Sequence, residues 1–172
     1  MTSPRRALDA LYDGAAALAA LCMVLLLVMV VASIVSRLLQ VNLPGTDAYA
    51  GYMMAAAGFL AMAHTLKRGE HIRVTLLTGA LGPRWKRGFE VWALAVASAL
   101  AALSAFYSAR LAWQSHLFHD VSTGNDATPL WIPQLAMAAG SLVLTIAFVD
   151  ELVLELRGQR VVPHSDEASR NE

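Results

Sequence analysis

Four long stretches without Asp, Glu, Lys or Arg dominate the chain. They cover residues 14–36, 48–66, 91–109 and 127–149. A helix needs roughly 20 apolar residues to cross a bilayer core about 30 Å thick. Each stretch meets this length, and the remaining polar sequence is too short to cover four such helices in water. The pattern therefore predicts an all-α integral membrane protein with four transmembrane helices.

The predicted spans cover about 14–37, 47–66, 90–113 and 131–150, in a single membrane domain of residues 1–172 with a polar C-terminal tail at 156–172. The fourth span begins at Trp131 because proline, here Pro133, is tolerated in the first helical turn. The residue set AVILMFWYC makes up 57% of the chain. Soluble domains contain about 45–50% apolar residues even when glycine is counted, so composition agrees with a membrane protein.

The distribution of positive charge predicts the orientation. Of the 13 Lys and Arg residues, only Arg37 and Arg110 directly follow the first and third uncharged stretches; the others lie in the tails and in the connection between the second and third spans. Because cytoplasmic segments are enriched in Lys and Arg, both termini and the central connection are expected in the cytoplasm. In that connection, apolar and basic residues alternate between Ile72 and Phe89. This alternation predicts a short interfacial segment on the membrane surface, with a solvated loop as the alternative.

Small residues indicate where helices approach closely, because burial from water does not drive association in lipid. The third span repeats alanine at every fourth position, and the second contains Gly58 within a band of small residues. The repeated alanines are Ala93, Ala97, Ala101, Ala105 and Ala109. We expect these two spans to make close contacts with each other or with a partner, although general alanine richness would produce the same pattern.

No pattern in the sequence indicates catalytic, metal or cofactor chemistry. A carrier that couples transport to ions usually keeps an ionisable residue inside a span, and no predicted span has one near its centre. His64 and His116 are predicted at opposite membrane faces, so they cannot share a haem or metal. The formal net charge of zero gives no reason to expect nucleic acid as a partner. The chain is therefore predicted to be neither an enzyme nor a cofactor protein.

The second span and the segment after it carry a more specific pattern. Asp47 opens the span, Gly58 lies within it, and Arg68–Val74 (RGEHIRV) follows it. Arg37 ends the first span, and residues 129–133 (PLWIP) lead into the fourth. This combination resembles the small membrane subunit of tripartite ATP-independent periplasmic (TRAP) transporters, the DctQ family.

The resemblance implies a noncatalytic subunit, in the bacterial inner membrane with several passes, that scaffolds a large permease subunit during ion-coupled uptake of an organic acid of the dicarboxylate type. The expected partners are that large TRAP permease subunit, a periplasmic solute-binding protein and membrane lipid. A four-helix assembly or anchoring subunit of another membrane complex is the alternative.

The resemblance also marks eight positions as motif, structural or interface residues. They are Arg37, Asp47, Gly58, Arg68, Gly69, His71, Arg73 and Trp131. Asp47 is expected either to cap the second helix or to act in docking. His71 is expected to hydrogen-bond carbonyl groups freed at a turn that Gly69 permits. Arg68 and Arg73 are expected to meet lipid phosphate or a partner's carboxylate.

Overall fold

Four α-helices make up the part of the chain that the structure describes. The computed structural model describes residues 3–67 and 83–158, and helices are the only regular elements there beyond one isolated β-bridge. The helices are α1 (Ser3–Leu38), α2 (Thr46–Lys67), α3 (Pro83–Leu117) and α4 (Trp131–Leu156). The prediction of an all-helical fold is confirmed.

Three of the four helices are long and apolar enough to cross a membrane. They are α1 from Arg5 to Leu38, α3 from Arg87 to Leu117 and α4 from Trp131 to Leu156. Within the described residues, α2 does not reach the same hydropathy because alanine, glycine, two tyrosines and His64 replace larger apolar residues. Of the segment predicted to lie on the membrane surface between Ile72 and Phe89, residues 72–82 fall outside the described ranges, and residues 83–89 form the first turns of α3.

The helices form a row in the order α1, α2, α4, α3. α2 packs against α1 on one side and α4 on the other, and α3 packs against α4. α1 touches α4 only marginally. The prediction that the second and third helices contact each other is therefore wrong, since α2 and α3 do not pack together in the described part of the chain.

The face that α3 buries also differs from the predicted alanine stripe. Ala101, in the middle of the stripe, is buried, whereas Ala93 and Ala109 at its ends are exposed. Each step of four residues overshoots a helical turn by about 40°, so a stripe at every fourth position winds away from a neighbouring helix. The fully buried residues of α3, together with half-buried Ala105, alternate steps of four and three: Leu94, Ser98, Ala101, Ala105, Ser108, Ala112 and Ser115. Half-buried Ala97 lies at the edge of this face. This 3.5-residue period keeps one narrow face of small side chains against α4.

Gly140 brings α4 against the backbone of α2. A Cβ atom added to Gly140 would lie 2.6 Å from both the carbonyl carbon and the carbonyl oxygen of Phe59. Only glycine fits at that distance, because backbone atoms cannot move aside as a flexible side chain does. Ser141, the next residue of α4, is 1% exposed, and its hydroxyl lies 3.4 Å from that of Ser104 on α3. Consecutive residues of α4 therefore contact the helices on its two sides.

We expect Gly140→Ala to destabilise the folded chain by about 1–3 kcal/mol, the usual cost of overpacking a close contact. The matched control is Gly58→Ala, because a Cβ there has no neighbour within 4 Å. Alanine is the better helix former by up to about 1 kcal/mol, so the control should be neutral or stabilising. Thermal unfolding of the purified protein in detergent measures both effects, and equal melting temperatures for the two variants would contradict the close contact.

Candidate functional site

Polar side chains of the described residues gather at the two ends of the bundle. We call the end with the α1–α2 connection (residues 39–45) and the α3–α4 connection (118–130) the loop end. The opposite end, where α1 begins and α4 finishes, is the tail end. Both ends follow from the sequence, because each uncharged stretch stops where charged residues begin. Interactions at the two ends join helices that contact each other through small or apolar side chains in between.

Asp47 ties the start of α2 to the end of α1. Its Oδ2 accepts a hydrogen bond from Arg37 Nη2 at 3.3 Å, and its Oδ1 accepts one from the hydroxyl of Ser33 at 3.1 Å. Ser33 is buried, whereas the side chains of Arg37 and Asp47 are 74% and 79% exposed. The carboxylate thus contacts another helix, and no hydrogen bond from it to the backbone N–H groups of α2 occurs in the described residues.

The α3–α4 connection docks on the start of α2 through Asp126. The Ser122 hydroxyl donates to Asp126 Oδ1 at 2.7 Å, and the Tyr52 hydroxyl donates to Oδ2 at 2.9 Å. The surrounding hydroxyl groups, first Ser122, then Thr128 and Tyr52, lower the pKa of Asp126 to about 2 because they stabilise its charged form. Gly45, at φ +85°, permits the approach, since a Cβ there would lie 2.9 Å from that of Asp126.

At the loop end, where α1 and α3 finish, a residue with a left-handed backbone conformation follows each of these two helices. Gln40 after α1 has φ 58°, and the N–H of Val41 bonds the carbonyl of Ser36. His119 after α3 repeats this with φ 55°, and the N–H of the next residue again bonds the carbonyl five positions back. These bonds satisfy carbonyl groups at each helix end, an arrangement that usually has glycine at the left-handed position. Because neither position is a glycine, the sequence carried no signal for these caps.

At the tail end, contacts between polar side chains join α1 to α2. Lys67 pairs with Asp9, and its ammonium lies 4.6 Å from the centre of the Tyr12 ring. One turn earlier on α2, His64 Nδ1 lies 3.6 Å from Asp13 Oδ1. Tyr12 is 1% exposed and packs in an apolar cluster with residues of α2 and α4. Asp9 and Asp13 are four residues apart on α1, and His64 and Lys67 are three apart on α2. Each set therefore lies on one face of its helix, and these two faces are turned toward each other.

The structure brings together two of the eight residues expected to matter, Arg37 and Asp47. Trp131 opens α4, and its ring meets that of His116 edge to face at 5.3 Å. Gly58 lies on an exposed face of α2, in a shallow apolar groove with Gly51 and Ala55. The other members of the expected set, Arg68, Gly69, His71 and Arg73, lie outside the described residues.

The sequence did not predict the contacts that the following residues make with other helices or connections: Asp9, Tyr12, Tyr52, Lys67, Asp126 and Gly140. Tyr52 and Asp126 are 74 positions apart, and Asp9 and Lys67 are 58 apart. The sequence around a carboxylate near a span end does not indicate whether that carboxylate contacts water, lipid or another helix. For Asp126, the only local signal was that it stands between Ser122 and Thr128, which surround it in the folded loop.

The fold and its polar clusters define a helical membrane protein whose ionic contacts join helices at their ends. No group of three His, Cys, Asp or Glu residues that could hold a metal occurs in the described ranges. The chain belongs to the family described as tripartite ATP-independent periplasmic transporters, DctQ component, which matches residues 26–158. The resemblance to the TRAP small permease subunit is therefore confirmed. No curated protein matches the chain.

We expect Asp126→Asn to lower the melting temperature at neutral pH by a few degrees and to flatten its acid dependence. The pKa of Asp126 is near 2 in the folded chain against 3.8 in an unfolded one. Its stabilising contribution is therefore complete above about pH 4 and is lost as the pH falls toward about 2. The matched control is Asp120→Asn, which removes an exposed carboxylate from the same connection. Thermal unfolding of both variants and the parent between pH 2 and 7 tests this; parallel curves for the parent and Asp126→Asn would contradict it.

Proposed function

We propose that this chain is the noncatalytic scaffold of a TRAP transporter, holding the large permease subunit while that subunit carries out ion-coupled uptake of an organic acid of the dicarboxylate type. The observation that carries the proposal is the family match over residues 26–158. The charge pattern supports a scaffold, because charged residues stand near the ends of the four helices and leave their centres without charged side chains.

We further propose that all four helices cross the bacterial inner membrane, with both termini in the cytoplasm. α2 has contacts with α1 at both ends, through Arg37 and Asp47 at the loop end and through Asp9 and Lys67 at the tail end. Its 22 residues extend about 33 Å, close to the bilayer core thickness of about 30 Å. Its lower hydropathy fits a helix flanked by α1 and α4, since less of its surface meets lipid.

Reporter fusions test this topology. An enzyme active only outside the cytoplasm should be active when fused after Gly45 or Ser122 and inactive after Gly82, because Lys and Arg concentrate around the tail end. A cytoplasm-active reporter at the same three sites is the control and should give the reverse pattern. An external signal at Gly82 would overturn the orientation, and signals at Gly45 and Ser122 on opposite sides would overturn the four-span topology.

We assign the exposed face of α2 as the surface that contacts the large permease subunit. Its groove contains Gly51, Ala55 and Gly58, flanked by Met54, Phe59 and Met62. Elsewhere, α1 exposes large residues such as Leu27 at 63%, and α3 exposes Phe106 at 62%. Large apolar side chains suit lipid contact, whereas small residues allow another helix to approach closely. This difference supports α2 as the contact helix.

We expect the tagged chain to co-purify with a large multi-helix permease in mild detergent, and Gly58→Leu to reduce its yield several-fold by filling the groove. Ala102→Leu is the matched control, because it enlarges an exposed alanine on α3. The melting temperature of each isolated variant separates lost assembly from lost folding. Recovery of the parent chain without any permease would overturn the scaffold function, whereas equal recovery with Gly58→Leu would overturn only the assigned surface.

A further inference from the structure

A polar cavity of about 320 Å³ opens at the loop end beside the Arg37–Asp47 pair. Its walls are the last turn of α1, the α1–α2 connection with the first turn of α2, and the tip of the α3–α4 connection at Gly124 and Asn125. The buried residues Ser33 and Ser36 contribute to its lining. We call this the loop-end cavity.

Two opposite charges face this cavity with unused bonding capacity. The Arg37 side chain makes one hydrogen bond within the described residues, from Nη2 to Asp47, although a guanidinium has five N–H donors. Asp47 accepts one bond at each oxygen, whereas a carboxylate offers about four acceptor positions. Because both side chains are about three-quarters exposed, a ligand with an anionic and a cationic group reaches both.

The position of the pair along the helices points to the membrane boundary. Arg37 is the first charged residue after the uncharged stretch of α1, and Asp47 is the last before that of α2. Val41 and Leu43, which line the cavity, are 55% and 47% exposed, and Leu38, the residue after Arg37, is 77% exposed. A polar cavity bordered by exposed apolar side chains at this depth matches a lipid, which has a charged headgroup joined to acyl chains.

The paired charges select among headgroups. A headgroup with phosphate alone meets Arg37 favourably but is repelled by Asp47 beside it. A primary ammonium next to the phosphate removes that repulsion, because it donates charge-assisted hydrogen bonds to the carboxylate. A quaternary ammonium has no N–H group and cannot make these bonds. The chemistry therefore favours phosphate and primary ammonium together.

We propose that the loop-end cavity binds the headgroup of phosphatidylethanolamine, with its phosphate at Arg37 and its ammonium at Asp47. The acyl chains extend along the exposed apolar face of α1, past Leu38 and Ile34. This proposal is independent of the transported solute and of which membrane leaflet the loop end faces.

Native mass spectrometry of the full chain in detergent tests the site, with short-chain phosphatidylethanolamine, phosphatidylglycerol and phosphatidylcholine as probes. The parent should bind phosphatidylethanolamine most tightly. Arg37→Gln should weaken binding of phosphatidylethanolamine about tenfold, the effect expected for one lost charge-assisted hydrogen bond. Asp47→Asn should remove the preference over phosphatidylglycerol. Arg110→Gln and Asp120→Asn, which change exposed charges outside the cavity, are the matched controls and should leave the parent's selectivity unchanged.

The ratio of affinities for two lipids within one variant does not depend on how stable that variant is. If Arg37→Gln does not fold, Arg37→Lys keeps the charge and should retain the order of preference. Equal binding of the three lipids by the parent, or unchanged selectivity in Asp47→Asn, would overturn the proposal. Free phosphoethanolamine binding as tightly as the lipid would show a site for a soluble zwitterion and overturn the lipid assignment, and so would failure of every probe to bind.

Discussion

The contact between Gly140 of α4 and the backbone of α2 at Phe59 is the constraint on which the order of the helices depends. Inside a membrane, burial from water does not draw helices together, so close backbone approach and polar contacts have to do so. Gly140 places α2 and α4 in the centre of the row. Each central helix then has one remaining side on which an outer helix packs, α1 on α2 and α3 on α4. On α3, the small residues at a 3.5-residue period form the face that packs against α4.

Polar contacts at the two ends complement this close packing. At the loop end, Asp47 joins α1 to α2, and Asp126 holds the α3–α4 connection against α2. At the tail end, Asp9 and Lys67 join α1 to α2 again. α2 therefore takes part in the contacts at both ends as well as in the central contact with α4. A helix held in this way by its neighbours does not need the hydropathy of a helix surrounded by lipid, which agrees with α2 being the one described helix that falls short of the hydropathy of a membrane span.

A row of helices leaves large surfaces open, and these surfaces differ in chemistry. α1 and α3 present large apolar side chains suited to lipid, whereas α2 presents a groove with Gly51, Ala55 and Gly58. The loop-end cavity adds a small charged area at the boundary of the apolar surface. For a member of the DctQ family, this division agrees with a subunit that meets lipid over much of its surface and a larger partner along one helix. The polar groups hold helices in place, as the proposed scaffold role requires.

The sequence by itself determined the helical class, the approximate limits of the helices and the family, because uncharged length, flanking charge and a short motif are local properties. It also indicated Arg37 and Asp47, which stand close together in the chain at the ends of two helices. Only the tertiary structure decided that α2 packs on α4, that α3 buries serines and alanines on one narrow face, and that Asp126 reaches Tyr52. Alanine and glycine on a helix show that close packing is possible without showing against which helix. Which helices pack together depends on the direction in which each helix face points at the level where two helices meet. It also depends on residues such as Gly140, which contacts the backbone of the neighbouring helix rather than a side chain.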